Sequence, residues 1–235
     1  MHNADSSGVP RWIRVADASE LQQLAYQRIL DAGNRAIDKR GQFHIVLAGG
    51  NTPRAIYQML SGANADWGRW HIYFGDERCL PVDDINRNSK MASDSWLDAV
   101  AIPANQIHVI PAELGAEVAS VLYAKMLHAV PDFDLVLLGL GEDGHTASLF
   151  PGHDLGVTPM AADALAVFDA PKLPAHRVTM SAQRLSRTRE VLFMVQGDSK
   201  RDAVSQWRAG AALPARAVRP EAGVDVLIES QLLMT

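Results

Sequence analysis

Cys79 is the only cysteine among 235 residues. That excludes an internal disulfide and fits a reducing compartment. No apolar run approaches the roughly 20 residues that span a bilayer. The opening MHNADSSGVPRW lacks the apolar core of a secretory signal. A cytoplasmic protein with no membrane partner is the expectation. Positive charge is also in short supply: 22 Lys and Arg against 27 Asp and Glu leave a formal net charge of −5. The cations are scattered, so the chain has no electrostatic footprint for nucleic acid, and any anion it binds should be small and held in a pocket. Repeats and low-complexity tracts are absent. What remains is 48% hydrophobic, enough for a sizeable core. The expected division is a loose polar tail over residues 1–10, then one α/β catalytic domain over residues 11–235.

Short apolar runs alternate with helical spacing. Strands are predicted at 12–15, 43–48, 70–74, 107–110, 134–138, 165–168, 178–180, 191–195 and 224–228. Asp17-Ala18-Ser19-Glu20 has the form of a capping box, opening a long helix that Gly41 ends. Thr52 is suited to cap a second helix with Pro53 at its first position. Helical spacing recurs over 86–100, and over 114–130 with Val118, Val121, Leu122 and Leu127 inward. Asp198 or Ser199 is suited to cap a last helix. Strands alternating with helices predict an α/β fold with a largely parallel sheet.

The chain is organised around DLVLLGLGEDGHTASLFPG, residues 134–152. An apolar run typical of a strand buried on both faces empties into a glycine-rich loop carrying Asp143 and His145. A helical turn is expected just after His145. Ligands bind at the carboxyl ends of strands in open parallel sheets, so this titratable pair is placed for chemistry. Gly139-Leu140-Gly141-Glu142-Asp143-Gly144 also matches the dinucleotide pattern G-x-G-x-x-G, with Asp169 as a ribose partner. Two carboxylates where the pyrophosphate would lie argue against that reading.

Other strand ends carry polar clusters at Gly49-Gly50-Asn51-Thr52-Pro53-Arg54, Asp76-Glu77-Arg78 and Gly197-Asp198-Ser199-Lys200-Arg201, and Arg177 precedes a further strand. Meeting at one edge, they offer backbone donors, several cations, two aspartates and a histidine. That inventory suits a small phosphorylated substrate, with the cations on the phosphate and His145 at the reacting end. Histidines 145 and 153 with Glu142 match no usual zinc spacing, so no metal is expected.

LAGGNTPRAIYQML, YFGDERCLPVDDINRNSKMA, DLVLLGLGEDGHTASLFPG and VQGDSKRDAV, in this order and spacing, resemble the 6-phosphogluconolactonases. The resemblance spans roughly residues 43–204. It implies a modified Rossmann-like α/β/α domain with a largely parallel sheet, related to the glucosamine-6-phosphate deaminase and ribose-5-phosphate isomerase fold, with no cofactor. It implies hydrolysis of 6-phospho-D-glucono-1,5-lactone in the oxidative pentose phosphate pathway, by a carboxylic ester hydrolase. It makes His145 the catalytic base, with Asp143, Asp76 and Arg78 beside it. Gly49, Gly50, Asn51, Thr52, Arg177 and Lys200 become candidates for the substrate phosphate. A sugar phosphate lactone is the implied small-molecule partner, and transient association with glucose-6-phosphate dehydrogenase a further expectation. In the deaminase relatives the resemblance implies an acid where this chain has Phe150, which disfavours isomerase or deaminase chemistry. A non-catalytic sugar-phosphate sensor is the other alternative. Which aspartate orients His145 stays open at this stage.

Overall fold

The computed structural model describes residues 10–234, so the expected tail falls outside the described residues up to position 9. Seven strands form one sheet: β1 (Arg11–Val15), β2 (Phe43–Leu47), β3 (Trp70–Phe74), β5 (Ile107–His108), β6 (Leu135–Gly139), β9 (Val191–Val195) and β10 (Val224–Glu229). Their order is β1-β10-β9-β6-β2-β3-β5, and every pairing is parallel. From β2 the chain builds outward to β3 and β5. From β6 it builds the other way, to β9 and β10. The direction reverses between β2 and β6, which makes their carboxyl ends the switch point where such sheets take ligands.

A second sheet was not anticipated. β4 (Asp76–Arg78), β8 (Arg177–Met180) and β7 (Ala164–Val167) pair antiparallel in that order. The charged triplet after β3 therefore continues as an edge strand and is not a solvated turn. Arg177 opens β8 there, outside the parallel sheet.

Helix α1 (Ala18–Arg40) starts as its sequence requires: Asp17 accepts the Glu20 N–H at 2.9 Å. Glu20 reaches back one residue further than a standard box, to the Ala16 N–H at 2.6 Å. Gly41, at φ 78°, ends it. Helix α2 (Asn51–Leu60) begins earlier than the sequence suggests, with Gly50 as cap and no side-chain capping bond. Thr52 and Pro53 thus lie inside its first turn. Helix α3 (Asn88–Ser95) is shorter than predicted. Trp96 leaves helical geometry to bury its ring against Tyr57, Trp67 and Trp70, the aromatic heart of the core.

Helix α4 (Ala116–Leu127) corrects the predicted facing. Val118, Val121 and Leu122 are exposed, and the buried face is Ala116, Ala119, Ser120, Tyr123 and Leu127. Small residues let the helix approach closely, and the Tyr123 hydroxyl both donates to the Phe74 carbonyl and accepts its N–H. That satisfied buried polar pair outweighs the larger aliphatics on the other side. Asp198 and Ser199 form a 3-10 turn before helix α6 (Arg201–Arg208), and neither side chain caps it. Helix α5 (Ala182–Ser186) is the remaining α-helix, capped by the Ser181 side chain on the Arg184 N–H. No helix among the described residues is long and apolar enough to cross a membrane.

His44 on β2 is the most perturbed histidine in the fold. Burial first, then His71, His108, Arg184 and Arg40, push its pKa down to about 4. Between that value and the unfolded value near 6.5 the unfolded chain binds more protons, so stability falls as pH falls through this window. The ring is partly solvated, so the loss from His44 should stay under about 3 kcal/mol. Urea midpoints measured from pH 7 to pH 4 should show that His44→Phe loses less stability on acidification than the parent. An identical drop in both would remove His44 as a source.

Candidate active site

A cleft of about 290 Å³ opens at the switch point. Gly49 and Gly50 enter it from the end of β2, Asp76 and Arg78 from β4, and His145 from the loop after β6. Arg177 enters from β8 and Lys200 from the turn after β9. Residues spread from position 49 to 200 therefore converge as the sequence suggested. Asn51, Thr52 and Asp143 do not line the cleft. The N–H groups of Asn51 and Thr52 precede the first α2 hydrogen bond, Arg54 N–H to Gly50 O, while Pro53 has none to offer. Arg201 points elsewhere, to Asp198 and the carbonyls of Gln231 and Met234.

The loop after β6 is shaped around His145. The Gly141 N–H donates to the His145 carbonyl at 2.7 Å, and Thr146 Oγ1 donates to Gly139 O at 2.8 Å. The expected helical turn does not form, because Ala147 takes a left-handed conformation at φ 49°. A non-glycine residue held there stores strain of order 1–3 kcal/mol, a cost that tends to be retained at functional sites. With no helix after Gly144, the dinucleotide pattern lacks the helix N-terminus it would need.

Asp143 stands behind the imidazole, its Oδ1 2.5 Å from His145 Nδ1. That contact answers the question of which aspartate orients the ring. It places the proton on Nδ1 and leaves Nε2 with a free lone pair. Burial lowers the His145 pKa, Asp143 opposes this through its hydrogen bond and charge, and Lys172 adds to the lowering. The net shift is downward, so the ring is neutral near pH 7. Burial works to raise the Asp143 carboxyl, but the bond from His145 outweighs it and holds that carboxyl below its ordinary range. The ring lies against the Gly141 backbone: a Cβ on Gly141 would sit 1.9 Å from His145 Nδ1. Phe150, fully buried, packs its ring 4.6 Å from the imidazole.

Asp76 does its work one step away. Its carboxylate accepts from Asn88 Nδ2 at 2.9 Å and from Ser148 Oγ at 2.5 Å, with Arg177 at 4.0 Å. Asn88 also fills the space over Gly49, where a Cβ would meet its Oδ1 at 2.0 Å. The amide thus gauges the distance between the β2 loop and β4. Arg78 donates to the Asn86 carbonyl at 2.5 Å, yet its buried Nε has no partner among the described residues. A buried donor of this kind, lining a cleft, can hydrogen-bond an oxygen that enters it.

Arg177 is tied down more than the sequence implied. It donates to the carbonyls of Pro174, Lys172 and Leu173 and approaches Ser148, so it fastens the segment 171–175 over the cleft. Lys172 rides on that segment, 3.8 Å from Glu142. Lys200 is half-buried, and burial, opposed by Glu142 and reinforced by Lys172, lowers its pKa. The half-buried Lys200 ammonium is held at an electrostatic cost that an anion would relieve. Asn88, Ser148 and Lys172 escaped the sequence reading. Ser148 adjoins the recognised loop and Asn88 follows the charged triplet, but only the folded contacts reveal their use.

The family model described as glucosamine-6-phosphate isomerases/6-phosphogluconolactonase matches residues 16–227. A 6-phosphogluconolactonase of Mycobacterium tuberculosis is 37% identical over 209 residues, covering 83% of this chain and 84% of the relative. One from Synechocystis is 37% identical over 211 residues, covering 84% and 86%. Among solved structures, a 6-phosphogluconolactonase of Thermotoga maritima superposes with a TM-score of 0.86 at 25% identity, over 94% of this chain and all of that one. A monomeric glucosamine-6-phosphate deaminase shares the fold, with a TM-score of 0.82 at 21% identity. On the match over most of its length and these relatives, the chain belongs to the glucosamine-6-phosphate isomerase/6-phosphogluconolactonase family.

Proposed function

We propose that the chain hydrolyses 6-phospho-D-glucono-1,5-lactone to 6-phosphogluconate, the second step of the oxidative pentose phosphate pathway. The observation that carries this reading is a neutral imidazole, backed by Asp143, across one cleft from Lys200 and the β2 glycines. A δ-lactone is an activated ester, so water suffices as nucleophile. His145 Nε2 takes a proton from water as the oxygen attacks the lactone carbonyl. Arg78 stabilises the developing oxyanion through its unpaired Nε. As the tetrahedral intermediate collapses, the C–O bond to the ring oxygen breaks and the imidazolium returns its proton to that oxygen. Asp143 holds the ring in the required tautomer and stabilises its charged form. Lys200, Lys172 and the Gly49–Gly50 backbone hold the remote phosphate, which fixes the carbonyl near the base. Arg177 contributes by fastening Lys172 over the cleft. Phe150 supplies no acid for ring opening, which separates this chemistry from that of a deaminase.

Freshly generated lactone should disappear far faster with the protein than by spontaneous hydrolysis. His145→Ala should lower kcat by about 10²–10⁴-fold with the fold intact by circular dichroism. No excess over background in the parent would sink the proposal. Gly141→Ala removes no functional group but forces the imidazole from its place; it should cost about 10²-fold in kcat. Near-normal turnover in that variant would show the ring position to be unimportant. Lys200→Ala should raise KM for the phosphorylated lactone roughly 10- to 100-fold and leave unphosphorylated gluconolactone almost unaffected. Equal losses on both substrates would take Lys200 out of the phosphate site.

A further inference from the structure

The aliphatic face that the sequence predicts inward on α4 is turned to solvent, and it is not isolated. Val109, Leu114, Val118, Val121 and Leu122, close together in the chain, are all exposed. Leu114 ends the 3-10 turn Ala112–Leu114 that leads into the helix. Spaced three and four residues apart, Val118, Val121, Leu122 and the exposed Lys125 share one side of α4, opposite Ala116, Ala119, Tyr123 and Leu127. Large apolar side chains gathered on one exposed face mark a contact surface. None of these residues lines the cleft, so the surface has no share in the site already described.

We propose that this face of α4 docks on the same face of a second copy of the chain, the two helices antiparallel about a two-fold axis. A two-fold contact uses the same patch on both copies and must be complementary to itself. The charges on α4 meet that requirement. The helix runs Ala116–Leu127, so its midpoint lies between Val121 and Leu122. An axis there sets Val121 beside its own copy and Leu122 beside its own copy. It also sets Val118 opposite Lys125 of the second copy, with Glu117 on the same flank. The methylene stem of Lys125 then covers Val118 while its ammonium reaches Glu117, and the symmetry makes this pair twice.

Glu117 and Lys125 are both exposed, and among the described residues neither has an ion-pair partner in its own chain. A parallel arrangement would instead face Lys125 with its own copy, like charge on like charge. Antiparallel helices also oppose their dipoles, positive end to negative end. Electrostatics therefore selects both the occupant and its direction. Twelve residues make a helix only about 18 Å long. One such pair buries less than the roughly 800 Å² per partner of a standard interface, so the dimer should be reversible, with a micromolar Kd.

The test is sedimentation velocity of the full chain over about 1 to 500 μM, a range that brackets such a Kd. The mass should rise from 25.6 kDa toward twice that value. Val121→Glu, which sets two carboxylates together at the axis, should weaken association at least about 100-fold. Glu117→Lys and Lys125→Glu should each weaken it about 10-fold, and the two combined should restore it to within about 3-fold of the parent. All four variants change exposed positions, and their far-ultraviolet circular dichroism should match the parent. A parent that stays at 25.6 kDa throughout overturns the assignment. So does a dimer that survives Val121→Glu, or a loss in the two charge variants that their combination fails to reverse.

Discussion

Two adjacent buried carboxylates at the end of β3 hold the catalytic end of this molecule together. Glu77 is fully buried and accepts the N–H groups of Arg78, Asn88 and Ser89 at 2.7–2.9 Å, with Arg87 at 3.5 Å. It serves as a remote cap for α3, satisfying donors that the helix cannot satisfy itself. Asp76 turns the other way and gathers Asn88, Ser148 and Arg177. One dipeptide thereby fastens α3, the loop after β6 and the small antiparallel sheet to the parallel one. Removing either carboxylate would leave buried partners uncompensated, the situation in which a broken buried pair costs several kcal/mol.

The cleft inherits its properties from that frame. The β2 loop can approach β4 only because Gly49 has no side chain where Asn88 sits. His145 can lie flat on the next loop only because Gly141 has none either. Both glycines are required by neighbours rather than by their own backbone angles. The electrostatics divide along the cleft. At one end a half-buried imidazole and its aspartate shift each other's pKa in opposite directions. At the other, Lys200 is half-buried, and burial together with the charge of the exposed Lys172 lowers its pKa. A neutral base at one end and an underpaid positive charge at the other match a substrate with an electrophilic carbonyl and a remote phosphate.

Much of this was legible in the sequence because it is local. The apolar runs read at 134–138 and 191–195, the Asp17 cap and the Gly41 stop depend on neighbours in the chain, and the structure places the first one residue later and the others as read. The convergence of Gly49, Asp76, His145 and Lys200 also followed from topology, since parallel strands bring their carboxyl ends to one edge. What escaped was non-local. The antiparallel sheet pairs residues 76–78 with 177–179, about a hundred positions apart. The inward face of α4 was settled by small residues and a tyrosine hydroxyl reaching Phe74, against the pull of Val118, Val121 and Leu122. Arg177 reads in sequence as a phosphate ligand; in the fold its Nε and Nη2 also hold the carbonyls of its own loop, while Nη1 faces Ser148 and Asp76 in the cleft. Asn88 acquires meaning only once Asp76 and Gly49 are brought beside it.

The central claim is that a neutral His145, oriented and tuned by Asp143, is the base. The most direct measurement is the pH profile of kcat for lactone hydrolysis in the parent and in Asp143→Asn. Burial lowers the His145 pKa and Asp143 raises it. The parent's acid limb should therefore fall below the ordinary imidazole value near 6.5. Asp143→Asn should slow the reaction and move that limb to still lower pH. A limb that stays in place in the variant, or shifts upward, would contradict the account.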